Sequence, residues 1–208
     1  MHHLPNIFCF SRLVITIPVF VLVLINEPWS FLAATVLFLL ASVTDILDGY
    51  TARRLHIVSS TGVFFDLTAD KIFVSATLIA LVQIAIVPAW AVVIVLAREF
   101  ALTELRSIAV DKGRVIPAGK WGKLKTFLTL TAIGGLLLAK GLDAHQPDLL
   151  RALLVFRGPT VQVNDILFVI ASILFLLAVL WTAISGAEYV VSALPLFQSK
   201  SEATPPKI

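Results

Sequence analysis

Six apolar stretches, around residues 10–25, 28–45, 62–87, 89–109, 122–140 and 163–187, account for most of this chain. Each is close to the ~20 residues a helix needs to cross a bilayer. In hydrocarbon a segment must satisfy its own backbone N–H and C=O groups, which leaves helices as the form these stretches can take. Of the 208 residues, 59% are hydrophobic and 14% charged, with mean hydropathy +0.97. That balance excludes an ordinary soluble domain and predicts an all-α fold, an integral membrane bundle of six transmembrane helices. Residues 1–198 read as a single membrane domain, and 199–208, with two prolines and mixed charge, as a disordered tail.

The boundaries fall at turn-formers: Asn26 to Pro28, Pro88, the Lys112–Lys120 stretch and the longer Gly141–Pro159 connection. No small-residue cleavage pattern follows the first apolar run, so that segment is expected to stay as a helix. Arg53 and Arg54 lie between the second and third stretches, and Lys112, Arg114, Lys120, Lys123 and Lys125 cluster between the fourth and fifth. The connections near 26 and 88 carry no basic residue. This asymmetry, softened by Arg151 and Arg157, predicts both termini on the cytoplasmic side of an inner membrane. A net charge of +3 makes no case for nucleic acid, and the basic residues suit anionic lipid headgroups.

Against that background Asp45, Asp48, Asp66 and Asp70 are conspicuous. An ionised carboxylate in a membrane segment is costly unless it faces protein, water or a metal, so intramembrane acids mark functional sites. Helical neighbours three or four apart share a face, which pairs Asp45 with Asp48 and Asp66 with Asp70. Carboxylates without nearby Cys or His suit hard ions such as Mg²⁺ or Mn²⁺, and four of them can hold two ions with positions left for a phosphate. Gly49 and Gly62 let a substrate approach the backbone, and Arg53 offers a fork for a diphosphate. The expected substrate is a diphosphate ester, and the active site should face the cytoplasm.

The string Asp45-x2-Asp48-Gly49-x2-Ala52-Arg53-x8-Gly62-x3-Asp66-x3-Asp70 resembles the signature of the CDP-alcohol phosphatidyltransferases, with every fixed position present. Other strings are similar to the family's phosphatidylglycerophosphate synthase branch: Ala97-Arg98-Glu99-Phe100, Leu105-Arg106, Gly122-Lys123-Leu124-Lys125-Thr126, Ser185-Gly186 with Tyr189, and Pro5-Asn6 near the start. Many members of that branch have Pro after the third aspartate, where Leu67 stands here.

The resemblance implies transfer of a phosphatidyl group from CDP-diacylglycerol to sn-glycerol 3-phosphate, with release of CMP. It also implies two divalent cations, Mg²⁺ or Mn²⁺, on Asp45, Asp48, Asp66 and Asp70, with Asp70 as catalytic base, metal ligand or both. Asn6, Gly49, Ala52, Arg53 and Gly62 would receive the CDP moiety; Arg98, Arg106, Lys123 and Lys125 would hold the acceptor phosphate. A homodimer among membrane lipids is implied as well. A different phosphorylated acceptor, such as inositol phosphate, would want the same basic residues. A membrane prenyltransferase would lack the Asp-Gly-x2-Ala-Arg portion, and a transporter with an acidic ion pathway would not need the two glycines or Arg53. Trp29, Trp90, Trp121 and Trp181 read as an interfacial belt, and Gly134 and Gly135 as a site of close helix packing.

Overall fold

The computed structural model describes the backbone of residues 4–55, 60–111, 120–143 and 163–198, and the side chains of 11–44, 68–105, 107, 125–143 and 163–186. Those residues form six helices and no strand: α1 (Leu4–Ile25), α2 (Pro28–Leu55), α3 (Ser60–Gln83), α4 (Ala89–Asp111), α5 (Lys120–Gly141) and α6 (Val163–Gln198). Every apolar stretch became a helix, but the ends differ. Helix α2 continues past residue 45 through the first two motif aspartates to Leu55, and α6 continues past residue 187 to Gln198. Helix α3 stops earlier than its apolar run, because Ala85 turns left-handed at φ 57° and the N–H of Ile86 closes back on Leu81 O at 2.9 Å. The connection beyond Asp143 and the tail lie outside the described residues.

The remaining boundaries follow local chemistry. Asn26 adopts φ 58° just past α1, a conformation Asn tolerates better than most residues. Pro28 then opens α2, where its missing N–H costs nothing. Ser30 Oγ donates to Glu27 O at 2.8 Å and accepts from Glu27 N at 3.2 Å, tying down that start.

The helices pack in a closed sequence: α1 against α2 and α3, α3 against α4, α4 against α6, α6 against α5, and α5 back against α2. The core is made by Phe31, Phe38, Phe73, Leu78, Leu81, Ile133, Leu136 and Leu137, with Phe38 stacked on Phe73 at a centroid distance of 5.1 Å. Small residues set two of the close approaches. A Cβ on Gly135 would lie 3.0 Å from Ala171 Cβ on α6, and one on Gly141 would lie 2.9 Å from Leu32 N on α2. Gly134, expected to act with Gly135, has ordinary space around it, its nearest neighbour being 3.7 Å away.

The outward faces are apolar. Ile166, Ile170, Ile173, Leu177, Leu180 and Ile184 form an exposed stripe along α6, and Val36, Leu39, Leu40 and Val43 another along α2. Trp29 and Trp90 are exposed at the first turns of α2 and α4. Among the described residues one segment, Val163–Gly186, is long and apolar enough by itself to cross a bilayer; Ser11–Ile25 and Pro28–Thr44 are shorter apolar helices. Helices α3, α4 and α5 bring together the described charges Asp70, Lys71, Glu99 and Lys125.

Candidate active site

A small open cleft, with a cavity volume of ≈ 50 Å³, lies between α3, α4 and α5. Its polar wall comes from Asp70 and Lys71 on α3, Glu99 on α4, and Lys125, Thr126 and Thr129 on α5; Val74, Val95, Leu96 and Leu130 supply much of the rest. The third and fourth helices pack on each other, whereas among the described residues α4 and α5 do not form a principal packing pair, and the cleft lies between them.

Charges are organised around one carboxylate. Glu99 Oε1 receives Arg98 Nη1 at 3.0 Å and also pairs with Lys125 Nζ from across the cleft. Arg98 reaches back the other way, where Nη2 donates to Ser185 Oγ on α6 at 3.3 Å. Gly186 makes room for that arginine: a Cβ there would stand 3.0 Å from Arg98 Cγ. The Lys125 side chain is only 5% exposed, against 29% for Glu99, so the lysine is held inside the wall rather than extended into solvent. Such burial of a cation requires a partner charge, which Glu99 supplies. Asp70, Arg98 and Lys71 all lie within Coulombic range of Lys125.

A short chain of bonds backs this wall. Lys71 Nζ donates to Thr103 Oγ1, which donates in turn to Glu99 O at 2.9 Å. One turn beyond Lys125 on α5, Thr129 Oγ1 donates to Lys125 O at 3.0 Å. These hydroxyls satisfy themselves on helix carbonyls, as an apolar surrounding demands.

Of the residues singled out from the sequence, Asp70, Arg98 and Lys125 are brought together here. Asp66 stands one turn before Asp70 on α3, and Gly62 lies in the first turn of that helix. Asp45, Asp48, Gly49, Ala52 and Arg53 occupy the second half of α2. Asn6 is in α1, Arg106 in α4 and Lys123 in α5. The side chains of these ten residues lie outside the described residues. Among the described residues no group of three His, Cys, Asp or Glu side chains gathers to hold a metal. The carboxylate-only donor set still fits a hard divalent ion: Asp70 opens on a cleft, Asp66 is one helical turn away, and no described sulfur or imidazole competes.

Sequence reasoning missed Lys71, Thr103 and the roles of Glu99 and Ser185-Gly186. Glu99 stood out only within the Ala97-Arg98-Glu99-Phe100 string, and the Ser-Gly pair only as a pattern.

The aspartate-rich motif runs along α2 and α3, and its last member, Asp70, opens on a cleft whose far wall carries Lys125. The chain belongs to the CDP-alcohol phosphatidyltransferase family, whose model matches residues 2–194, and it is a phosphatidyltransferase. Within the family it is similar to the CDP-diacylglycerol–glycerol-3-phosphate 3-phosphatidyltransferase of Bacillus subtilis (strain 168), 40% identical over 151 residues that cover 66% of this chain and 78% of the relative. It is 35% identical over 196 residues, 92% of this chain and 82% of the relative, to a probable phosphatidylglycerophosphate synthase of Mycobacterium tuberculosis (strain ATCC 25618 / H37Rv). A Rickettsia typhi protein named like the Bacillus one is 36% identical over 138 residues, 66% of this chain and 78% of that relative.

Proposed function

We propose that this chain is an integral membrane enzyme that transfers the phosphatidyl group of CDP-diacylglycerol to sn-glycerol 3-phosphate, releasing CMP and forming phosphatidylglycerol phosphate. The observation that carries this reading is the meeting of Asp70 with the Glu99–Lys125–Arg98 cluster across one cleft. Asp70 at one wall and Lys125 at the other, with Arg98 beside it on Glu99, suit an alcohol that bears a phosphate: the hydroxyl lies toward the acid, the phosphate toward the bases. Names borne by the relatives supply the donor and acceptor.

In the reaction, the acceptor hydroxyl oxygen forms a bond to the phosphatidyl phosphorus, and the bond from that phosphorus to the CMP oxygen breaks. The hydroxyl proton passes to Asp70, and CMP departs with the bonding electrons. Asp45, Asp48, Asp66 and Asp70 would hold two divalent cations, Mg²⁺ or Mn²⁺, which when bound neutralise charge on the diphosphate. Arg53 steadies the diphosphate, while Asn6, Gly49, Ala52 and Gly62 leave room for the CDP moiety. Arg98 and Lys125, with Lys123 and Arg106, hold the acceptor phosphate. Orientation is a large part of the rate here, since positioning the hydroxyl replaces a bimolecular encounter.

The exposed apolar stripes of α2 and α6 support a bundle of six membrane-spanning helices, because patches of that kind on a water-facing monomer would drive association. The polar cleft is then the functional interior, reached from the cytoplasmic face of the inner membrane with both termini on that side. Residues 1–198 act as one domain and the chain works as a homodimer. The deciding experiment measures CMP release from CDP-diacylglycerol by detergent-purified protein with Mg²⁺ or Mn²⁺, offering glycerol 3-phosphate, inositol phosphate, glycerol and serine separately. Release only with glycerol 3-phosphate is the expected result; release with inositol phosphate keeps the chemistry and changes the acceptor.

A further inference from the structure

Arg98 and Lys125 pose an electrostatic problem that Glu99 resolves. Two cations held close together on separate helices repel each other, and that repulsion is strong where water is scarce. Left alone, Arg98 and Lys125 would lower their energy by swinging apart, into different parts of the bundle. Glu99 prevents this with a single atom, since Oε1 takes Arg98 Nη1 at 3.0 Å and pairs with Lys125 Nζ as well. Arg98 Nη2 is further steadied by Ser185 Oγ at 3.3 Å, which fixes the plane of the guanidinium from the α6 side.

The bridge also spans the gap where packing does not. Helices α4 and α5 line opposite walls of the cleft without forming a principal packing pair, so the Glu99–Lys125 pair is what fixes the distance between their charged side chains. Thr103, through its bond to Glu99 O at 2.9 Å, links this part of α4 to Lys71 and hence to the helix of Asp70.

We propose that Glu99 is a positioning residue that sets selectivity for phosphorylated acceptors: it gathers Arg98 and Lys125 into one anion cradle at a fixed distance from Asp70. The proposal rests on the reading above that the acceptor carries a phosphate. Glu99 does not touch the reacting atoms; it acts through the two cations.

The test is steady-state CMP release by Glu99→Gln, varying acceptor and donor separately, with thermal unfolding and elution profile recorded on the same detergent-purified protein. Gln keeps the shape and removes the charge that draws the cations together. The expected result is an acceptor KM raised about tenfold or more, with donor KM within about twofold and an unchanged melting midpoint. Glu99→Asp, which keeps the charge on a shorter stem, should recover part of the loss. In a Lys125→Ala background, Glu99→Gln should add less than about twofold, because its route through Lys125 is already gone. An unchanged acceptor KM, an equal rise in both KM values, or full additivity with Lys125→Ala would overturn the proposal. So would a fall in acceptor KM, which would make Glu99 a competitor of the phosphate. If Glu99→Gln yields no monodisperse protein, Glu99→Asp carries the test, and failure of both to fold would assign Glu99 to bundle stability instead. Wild-type protein in the same assay keeps the two readings apart: if it ignores glycerol 3-phosphate but uses another phosphorylated alcohol, the acceptor assignment fails and Glu99 is tested with that alcohol. Use of neutral alcohols alone would sink both.

Discussion

Arg98 on α4 donates from Nη2 to Ser185 Oγ on α6 at 3.3 Å, so a cation of the candidate site is held from behind by a helix outside the described cleft lining. Ser185→Ala removes that acceptor while leaving Arg98 its bond to Glu99. A hydrogen bond of this length to a charged donor contributes about 1 kcal/mol, so acceptor KM should rise about fivefold with kcat little changed. Initial rates over a glycerol 3-phosphate titration check this; a fall in kcat with KM intact would place Ser185 in the chemistry instead.

Asp70→Asn is the sharper substitution. The amide keeps the shape of the side chain at the α3 wall but cannot take a proton from the acceptor hydroxyl. Loss of a positioned general base costs about 10²–10⁴-fold, so turnover should fall into that range while CDP-diacylglycerol still binds. Turnover and equilibrium binding of the donor are measured on the same preparation. Full activity would remove Asp70 from the base role, and loss of donor binding would make its main duty that of a metal ligand.

Much of this is legible in the sequence, and the limits are physical. Asn26, Pro28 and Pro88 marked helix boundaries because their backbone preferences act locally. The run of α2 through Asp45 to Leu55 was not visible in hydropathy, which fades where the motif begins although the backbone stays helical. Even so, the three-residue spacing of Asp45 and Asp48 already suited a shared helix face there. Asp70, Arg98 and Lys125 could be named as site candidates from charge in an apolar setting; Asp70 and Lys125 line one cleft, and Arg98 stands beside it, paired to Glu99. The joint hold of Glu99 on two cations could not be read, because it depends on how α4 faces α5, a relationship no local pattern encodes. The same holds for Gly186, whose missing Cβ matters only once Arg98 lies against it.

Metal dependence is a direct expectation of the acidic donor set. Treatment with excess EDTA should abolish CMP release, and Mg²⁺ or Mn²⁺ should restore it, whereas Ca²⁺ should restore little because its larger, looser shell places ligands less strictly. Rates measured across a titration of each ion check this. Activity that survives exhaustive chelation would argue that the four aspartates bind substrate by some other means.

Gly141 provides a prediction about the scaffold rather than the chemistry. A Cβ at this position would lie 2.8 Å from Leu32 Cγ and 2.9 Å from Leu32 N, and a backbone nitrogen at the start of α2 has little freedom to retreat. Gly141→Ala should therefore push α5 away from α2 and destabilise the fold by about 1–3 kcal/mol, the usual range for overpacking. Gly134→Ala is the control on the same helix, since its nearest neighbour would be 3.7 Å away and the new methyl meets ordinary contact. Thermal unfolding in detergent should separate the two: a clear drop for Gly141→Ala and almost none for Gly134→Ala. Both clashes lie far along α5 from Lys125, so the specific activity of whatever Gly141→Ala protein remains folded should match the parent. A loss of specific activity without loss of stability would mean that the α2–α5 approach sets the geometry of the cleft as well as the strength of the bundle.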